Sequence, residues 1–72
     1  MITINKLYLD KFKELRYAYW YEVSRGIYLS FDKETLEYIG VEMFYLAKPE
    51  KVENLSNITI NELLRKDVLL SL

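Results

Sequence analysis

Hydrophobic and polar residues alternate with a period of two through the middle of the chain. Ile27, Leu29 and Phe31 alternate with Tyr28, Ser30 and Asp32, and Ile39, Val41 and Met43 alternate with Tyr38, Gly40 and Glu42. This is the pattern of two half-buried strands, and their aromatic and β-branched residues suit a pleated backbone. Between them lies Asp32-Lys33-Glu34-Thr35, where the Asp32 carboxylate can accept from backbone amides two residues on and so favour chain reversal. Two strands joined by a short polar connection predict an antiparallel hairpin within residues 25–45. Two registers are open. An odd-length connection pairs Leu29 with Ile39, whereas a four-residue connection, Lys33 to Leu36, sets Phe31 opposite Tyr38. Gly40, inside the second strand, predicts a bulge or the close approach of another element. In either register the hairpin carries apolar side chains on both faces.

Residues 2–9 alternate loosely through Ile2, Ile4, Leu7 and Leu9 and suggest a first strand, followed by a polar connection from Asp10 to Glu14 with room for one helical turn. Leu15 to Val23 is the most aromatic segment. As a strand it places Leu15, Tyr17, Tyr19, Tyr21 and Val23 on one face, opposite Arg16, Ala18, Trp20 and Glu22. Tyr8, Phe12, Leu15 and Tyr19 also fit helical spacing over residues 6–22, but the strict two-residue repeat of tyrosines favours the strand. Ala47 to Ile58 is polar, contains the single proline, and predicts a linker. Thr59 with Glu62 three residues later forms a capping-box pattern. Ile60, Leu63 and Leu64 follow at helical spacing, with Arg65 and Lys66 where cations suit the helix dipole. Val68 to Leu72 either extends that helix or forms a short strand. The expected fold is therefore α+β in one domain: a three- to four-stranded antiparallel β-meander over residues 1–46, a linker over 47–58, and a C-terminal α-helix and tail over 59–72, with the helix packed on the sheet.

Composition narrows the chemistry. With 72 residues, the chain can bury only about 60% of its unfolded surface. It is 51% hydrophobic and 29% charged, as a folded chain is, and its formal charge of −1 gives no general attraction to nucleic acid or an anionic membrane. It has no cysteine and no histidine, so disulfides and thiolate chemistry are excluded and zinc or blue-copper sites are not expected. No cofactor is expected. Stability must come from packing or from association with another chain. The opening Met-Ile-Thr-Ile-Asn-Lys has neither a long apolar run nor a small-residue cleavage site, no segment has the roughly 20 apolar residues of a membrane span, and the cytoplasm is the expected location.

The candidate binding residues are Arg16, Tyr17, Tyr19, Trp20 and Tyr21, joined by Tyr28 and Tyr38 on the hairpin. Alternating aromatics can simply fill the core of a small sheet. Yet both faces of the strand carry them, so some rings must lie on a surface that one helix does not cover, and exposed apolar area of that kind marks interfaces. This points to a non-enzymatic protein-interaction module, a homodimer acting as a small accessory, inhibitor or antitoxin-like partner. The alternative is a single-stranded nucleic-acid-binding domain, with bases stacked on the aromatics near Lys11, Lys13, Arg16 and Arg25. Asp10, Glu14, Glu22 and the balanced charge oppose it. Asp32, Glu34, Glu37 and Glu42 offer carboxylates, but turns and outward strand positions carry such residues for solubility, and no catalytic residue is expected.

Gly26-Ile27-Tyr28-Leu29, Asp32-Lys33-Glu34-Thr35 and Gly40-Val41-Glu42-Met43, preceded by Tyr8-Leu9-Asp10 with Glu14 and Tyr17, form a pattern over residues 1–46. In it the chain resembles a family of short prokaryotic domains of unknown function built around such a hairpin. The chain departs from that pattern at Leu36, where glycine usually takes a left-handed turn, and at Arg16, in place of an apolar strand residue. The resemblance implies a small β-sheet domain with no established activity, sometimes encoded near toxin-antitoxin-like genes.

Overall fold

The computed structural model describes residues 1–44 and 49–71. It runs in order through β1 (Ile2–Ile4), a 3-10 helix (Lys6–Lys11), β2 (Lys13–Glu14), β3 (Ala18–Ser24), β4 (Ile27–Asp32), β5 (Tyr38–Met43), α1 (Pro49–Arg65) and β6 (Leu69–Ser71). The architecture is α+β. Strands β2-β3-β4-β5 form a four-stranded antiparallel sheet, β1 and β6 pair in a second antiparallel sheet of two strands, and α1 is the single α-helix among the described residues. Of the positions discussed above, 45–48 and 72 (the ends of the hairpin stretch and meander, the first two linker residues and the last tail residue) lie outside the described residues.

Within β3 and β4 the period-two pattern places its side chains as expected, whereas Leu15 to Tyr17, expected in the same strand as Tyr19, lie in the β2–β3 connection. Tyr19 stands opposite Phe31, and Tyr21 opposite Leu29, which in turn faces Val41. Directly opposed residues share a face, so these side chains form one face of the sheet. Leu29 and Phe31 are fully buried there. Phe12, Leu36, Ile60, Leu63, Val68, Leu69 and Ile4 close over them. Phe12 packs edge-on to Phe31 at 5.3 Å and tilted against Tyr21 at 5.5 Å, geometries that match the ring quadrupoles. Phe31 meets Tyr38 at 5.6 Å.

The hairpin takes the four-residue connection, with Phe31 opposite Tyr38. The Asp32 Oδ1 accepts from the amides of Glu34 and Thr35, the Leu36 amide donates to the Asp32 carbonyl, and the Asp32 amide donates to the Glu37 carbonyl. The register then shifts between Phe31–Tyr38 and Ser30–Gly40, so that Ile39 is the extra residue of a bulge. Gly40 therefore lies beside a bulge. No element of the described residues approaches it closely, since a Cβ built there meets nothing of theirs within 4 Å. Leu36 itself is left-handed, with φ 65°.

The ends of the chain depart from expectation. The first strand is confined to Ile2–Ile4 and belongs to the second sheet, because Asn5 caps a 3-10 helix by accepting from the Leu7 amide. Helix α1 begins at Pro49, so the described part of the expected linker is helical. Proline suits a first helical position, where its missing N–H leaves nothing unpaired. The buried stripe runs through Ser56, Ile60 and Leu63, and a hydrophobic count passes over its position at Ser56. Thr59 is interior to the helix and caps nothing. The helix ends at Arg65 in a Schellman arrangement: the Asp67 amide donates to Leu64 and the Val68 amide to Leu63, with Asp67 at φ 62°. The tail then forms β6 and pairs with β1 through Ile4–Leu69, Thr3–Leu70 and Ile2–Ser71.

Leu36 is 9% exposed and left-handed, so truncation there separates burial from backbone strain. Leu36→Ala and Leu36→Gly both lose core contacts, but only alanine keeps the left-handed penalty of roughly 1 kcal/mol. The glycine variant is expected to be the more stable of the two by ~1 kcal/mol, reversing the usual order, as chemical denaturation would measure.

Candidate functional site

The same alternation that fills the core leaves the opposite face of the sheet with its own aromatic set. Trp20 faces Ser30, which faces Gly40; Glu22 faces Tyr28, which faces Glu42. Phe44 continues this face two residues beyond Glu42, held by its amide donating to the Gly26 carbonyl. The rings of Trp20, Tyr28 and Phe44 gather into one cluster. Trp20 lies 5.2 Å from Tyr28 and 5.1 Å from Phe44, with interplanar angles of 34° and 36°, and Phe44 meets Tyr28 edge-on at 5.9 Å.

This cluster lies outside the hydrophobic core. Helix α1 contacts β3, β5 and β6, and its buried Ile60 and Leu63 join the core on the other face. Phe44 is 57% exposed, and Trp20 and Tyr28 are half-buried. The cluster runs diagonally from β3 across β4 to the residue that follows β5. Glu22 and Glu42 flank Tyr28 in register, both exposed. The ion pair found among the described residues is Lys33 with Glu14 at 3.3 Å, so neither Glu22 nor Glu42 has a salt-bridge partner there. Beside the cluster, Gly40 opens a bare patch of backbone.

The structure divides the sequence-predicted residues among three places. Trp20 and Tyr28 are on the open face. Tyr19, Tyr21 and Tyr38 pack partly buried against the core, so they support the sheet. Arg16 and Tyr17 stand in the β2–β3 connection, where the Arg16 guanidinium lies 5.4 Å from the Tyr17 ring centre. There they line a depression of about 350 Å³ with Asp32, Lys33 and Glu34. Two of the groups lining that depression are already engaged: Asp32 holds the turn amides, and the Lys33 ammonium donates to the Leu15 carbonyl and pairs with Glu14. Phe44, Glu22 and Glu42 were not singled out from sequence as binding residues. The Tyr28–Glu42–Phe44 placement follows from alternation once the hairpin register is known.

Among the described residues no cluster of three or more acidic side chains has the geometry to hold a metal ion, and no helix is long and apolar enough to cross a membrane. Compared with protein-family models, curated proteins and solved structures, the chain finds no match in any of the three.

Hydrogen bonds from the Thr35 and Glu34 amides hold the Asp32 carboxyl below its ordinary value of 3.8. Its folded pKa is depressed, so its contribution to stability is present above pH 3.8 and is lost as the pH falls through the lower folded value. Asp32→Asn is expected to flatten this acid limb of the stability curve, which urea melts at a series of acidic pH values would follow. Gly40 has open space above it and no left-handed backbone. Gly40→Ala is therefore expected to stabilise the sheet by ~0.5 kcal/mol, and a loss in thermal melts would show that the fold needs this glycine.

Proposed function

We propose that the protein is a non-enzymatic interaction module that binds another polypeptide through the open face of its sheet, as a small accessory, inhibitor or antitoxin-like partner. The observation that carries this reading is the Trp20–Tyr28–Phe44 cluster on the face opposite the core. Tryptophan and tyrosine supply large, stiff contact surface and dominate binding energy where they are desolvated by a partner. A slab with extents of 32 × 27 × 18 Å presents a broad side of the scale that a standard interface of about 800 Å² per partner requires. A homodimer is the form of this reading in which a second copy covers the face. Nucleic acid is the weaker reading, since Glu22 and Glu42 border the aromatic cluster and repel phosphates.

Trp20→Ala removes the largest ring of the cluster without touching the core. Sedimentation at micromolar concentrations, together with affinity capture from an extract of the native host, is expected to show association by the wild type. The variant should weaken it by at least about tenfold with an unchanged far-ultraviolet spectrum. A monomeric wild type that retains nothing the Trp20→Ala protein does not also retain would sink the reading.

A further inference from the structure

The chemistry of the open face also specifies what it would accept. Aromatic faces attract cations, tryptophan most strongly. Here two carboxylates, Glu22 and Glu42, stand directly opposite Tyr28 on the neighbouring strands, which puts their Cβ atoms about 5 Å from that of Tyr28. A cation over the cluster would meet rings beneath it and a carboxylate on either side.

Among the described residues the edge next to this face is also open. Strand β5 is terminal in the sheet order. The Phe44–Gly26 hydrogen bond sets the alternation of the β4–β5 ladder, which turns the backbone groups of Val41 and Met43 away from β4. At its start the edge is closed by Thr3, which bridges to Glu37. From Ile39 to Met43 no strand of the described residues pairs with it, and Ile39, Met43 and Phe44 are exposed along it. An extended segment could add there by main-chain hydrogen bonds. Its residue opposite Glu42 would fall on the open face beside the carboxylates, and the residue two positions away would fall opposite Gly40, over bare backbone.

We propose that the occupant is an extended basic segment of another protein, which pairs with the outer edge of β5 and lays an arginine or lysine against the Trp20–Tyr28–Phe44 cluster between Glu22 and Glu42. This rests on the interaction reading above and names its partner's chemistry. The matching sequence is a basic residue separated by one position from a large side chain that fills the space over Gly40. A second copy stacked face to face about β4 fits less well, because it would set Glu22 of one protomer over Glu42 of the other.

A random dodecapeptide phage library panned on the immobilised full chain tests this. The recovered peptides are expected to carry arginine or lysine at that spacing from a bulky residue. Their synthetic forms should bind at least about tenfold more weakly to the Glu22→Gln/Glu42→Gln protein and to weaken with added salt, as charge-assisted contacts do. Hydrogen exchange at Val41 and Met43 should slow in the complex. Recovered peptides without basic residues, or equal binding by the double variant, overturn the proposal. If Trp20→Ala abolishes binding while the double variant leaves it intact, the open face remains the binding surface and the basic partner is wrong. Self-association that protects Val41 and Met43, with no peptide recovered, likewise overturns it in favour of a second copy. If no peptide is recovered and the chain stays monomeric, both readings fall.

Discussion

One helix can cover one face of a four-stranded sheet, and the remaining features of this protein follow from that limit. Strand β4 shows it most directly. Leu29 and Phe31 are fully buried, and Tyr28, between Ile27 and Leu29 in the chain, points to the face without a helix. The apolar area sealed around Phe31 supplies the main stabilisation available to so short a chain, at roughly 25 cal/mol per Å² buried. The equivalent area around Trp20 and Phe44 is only partly withdrawn from water by ring–ring contact.

The core is completed by closures at which local preference yields to packing. Leu36 and Asp67 both adopt left-handed backbone, which L-residues disfavour. Each sits where the second sheet is tied in. The Leu36 carbonyl accepts from the Ile4 amide, and beside Asp67 the Val68 carbonyl accepts from the Asn5 amide, while the Asn5 side chain donates to the Asp67 carbonyl. Leu36 and Val68 are buried in the same core. The strain at these turns is offset by the apolar side chains and hydrogen bonds they bring together, and β1 and β6 are held against the end of the hairpin as a result.

The contrast between the two faces also gives the proposed binding surface its character. The core face is apolar throughout its centre. The open face combines aromatic rings with carboxylates and a bare glycine, a mixture that suits a partner bringing both a cation and main-chain hydrogen bonds. Glu22 and Glu42 lie far apart in sequence and flank Tyr28 only because β3 and β5 both pair with β4 in the observed register. A shift of one residue would send the Tyr28 ring to the other face.

The alternation along residues 27–43 was enough to determine the two strands of the hairpin, and that along Leu15 to Val23 favoured a third with aromatic side chains on both faces, because a period of two is a property of the backbone itself. Helical spacing at Ile60, Leu63 and Leu64 likewise determined the end of α1. Tertiary structure decided the rest. Helix α1 extends back from the predicted start at Thr59 through Ser56, whose burial no hydrophobic count reveals. The choice between two hairpin registers turned on Leu36 accepting a left-handed turn, whose strain its burial and hydrogen bonds offset. Whether the Tyr19 or the Trp20 face would be covered depended on where α1 came to rest, and that is a contact between residues far apart in the chain.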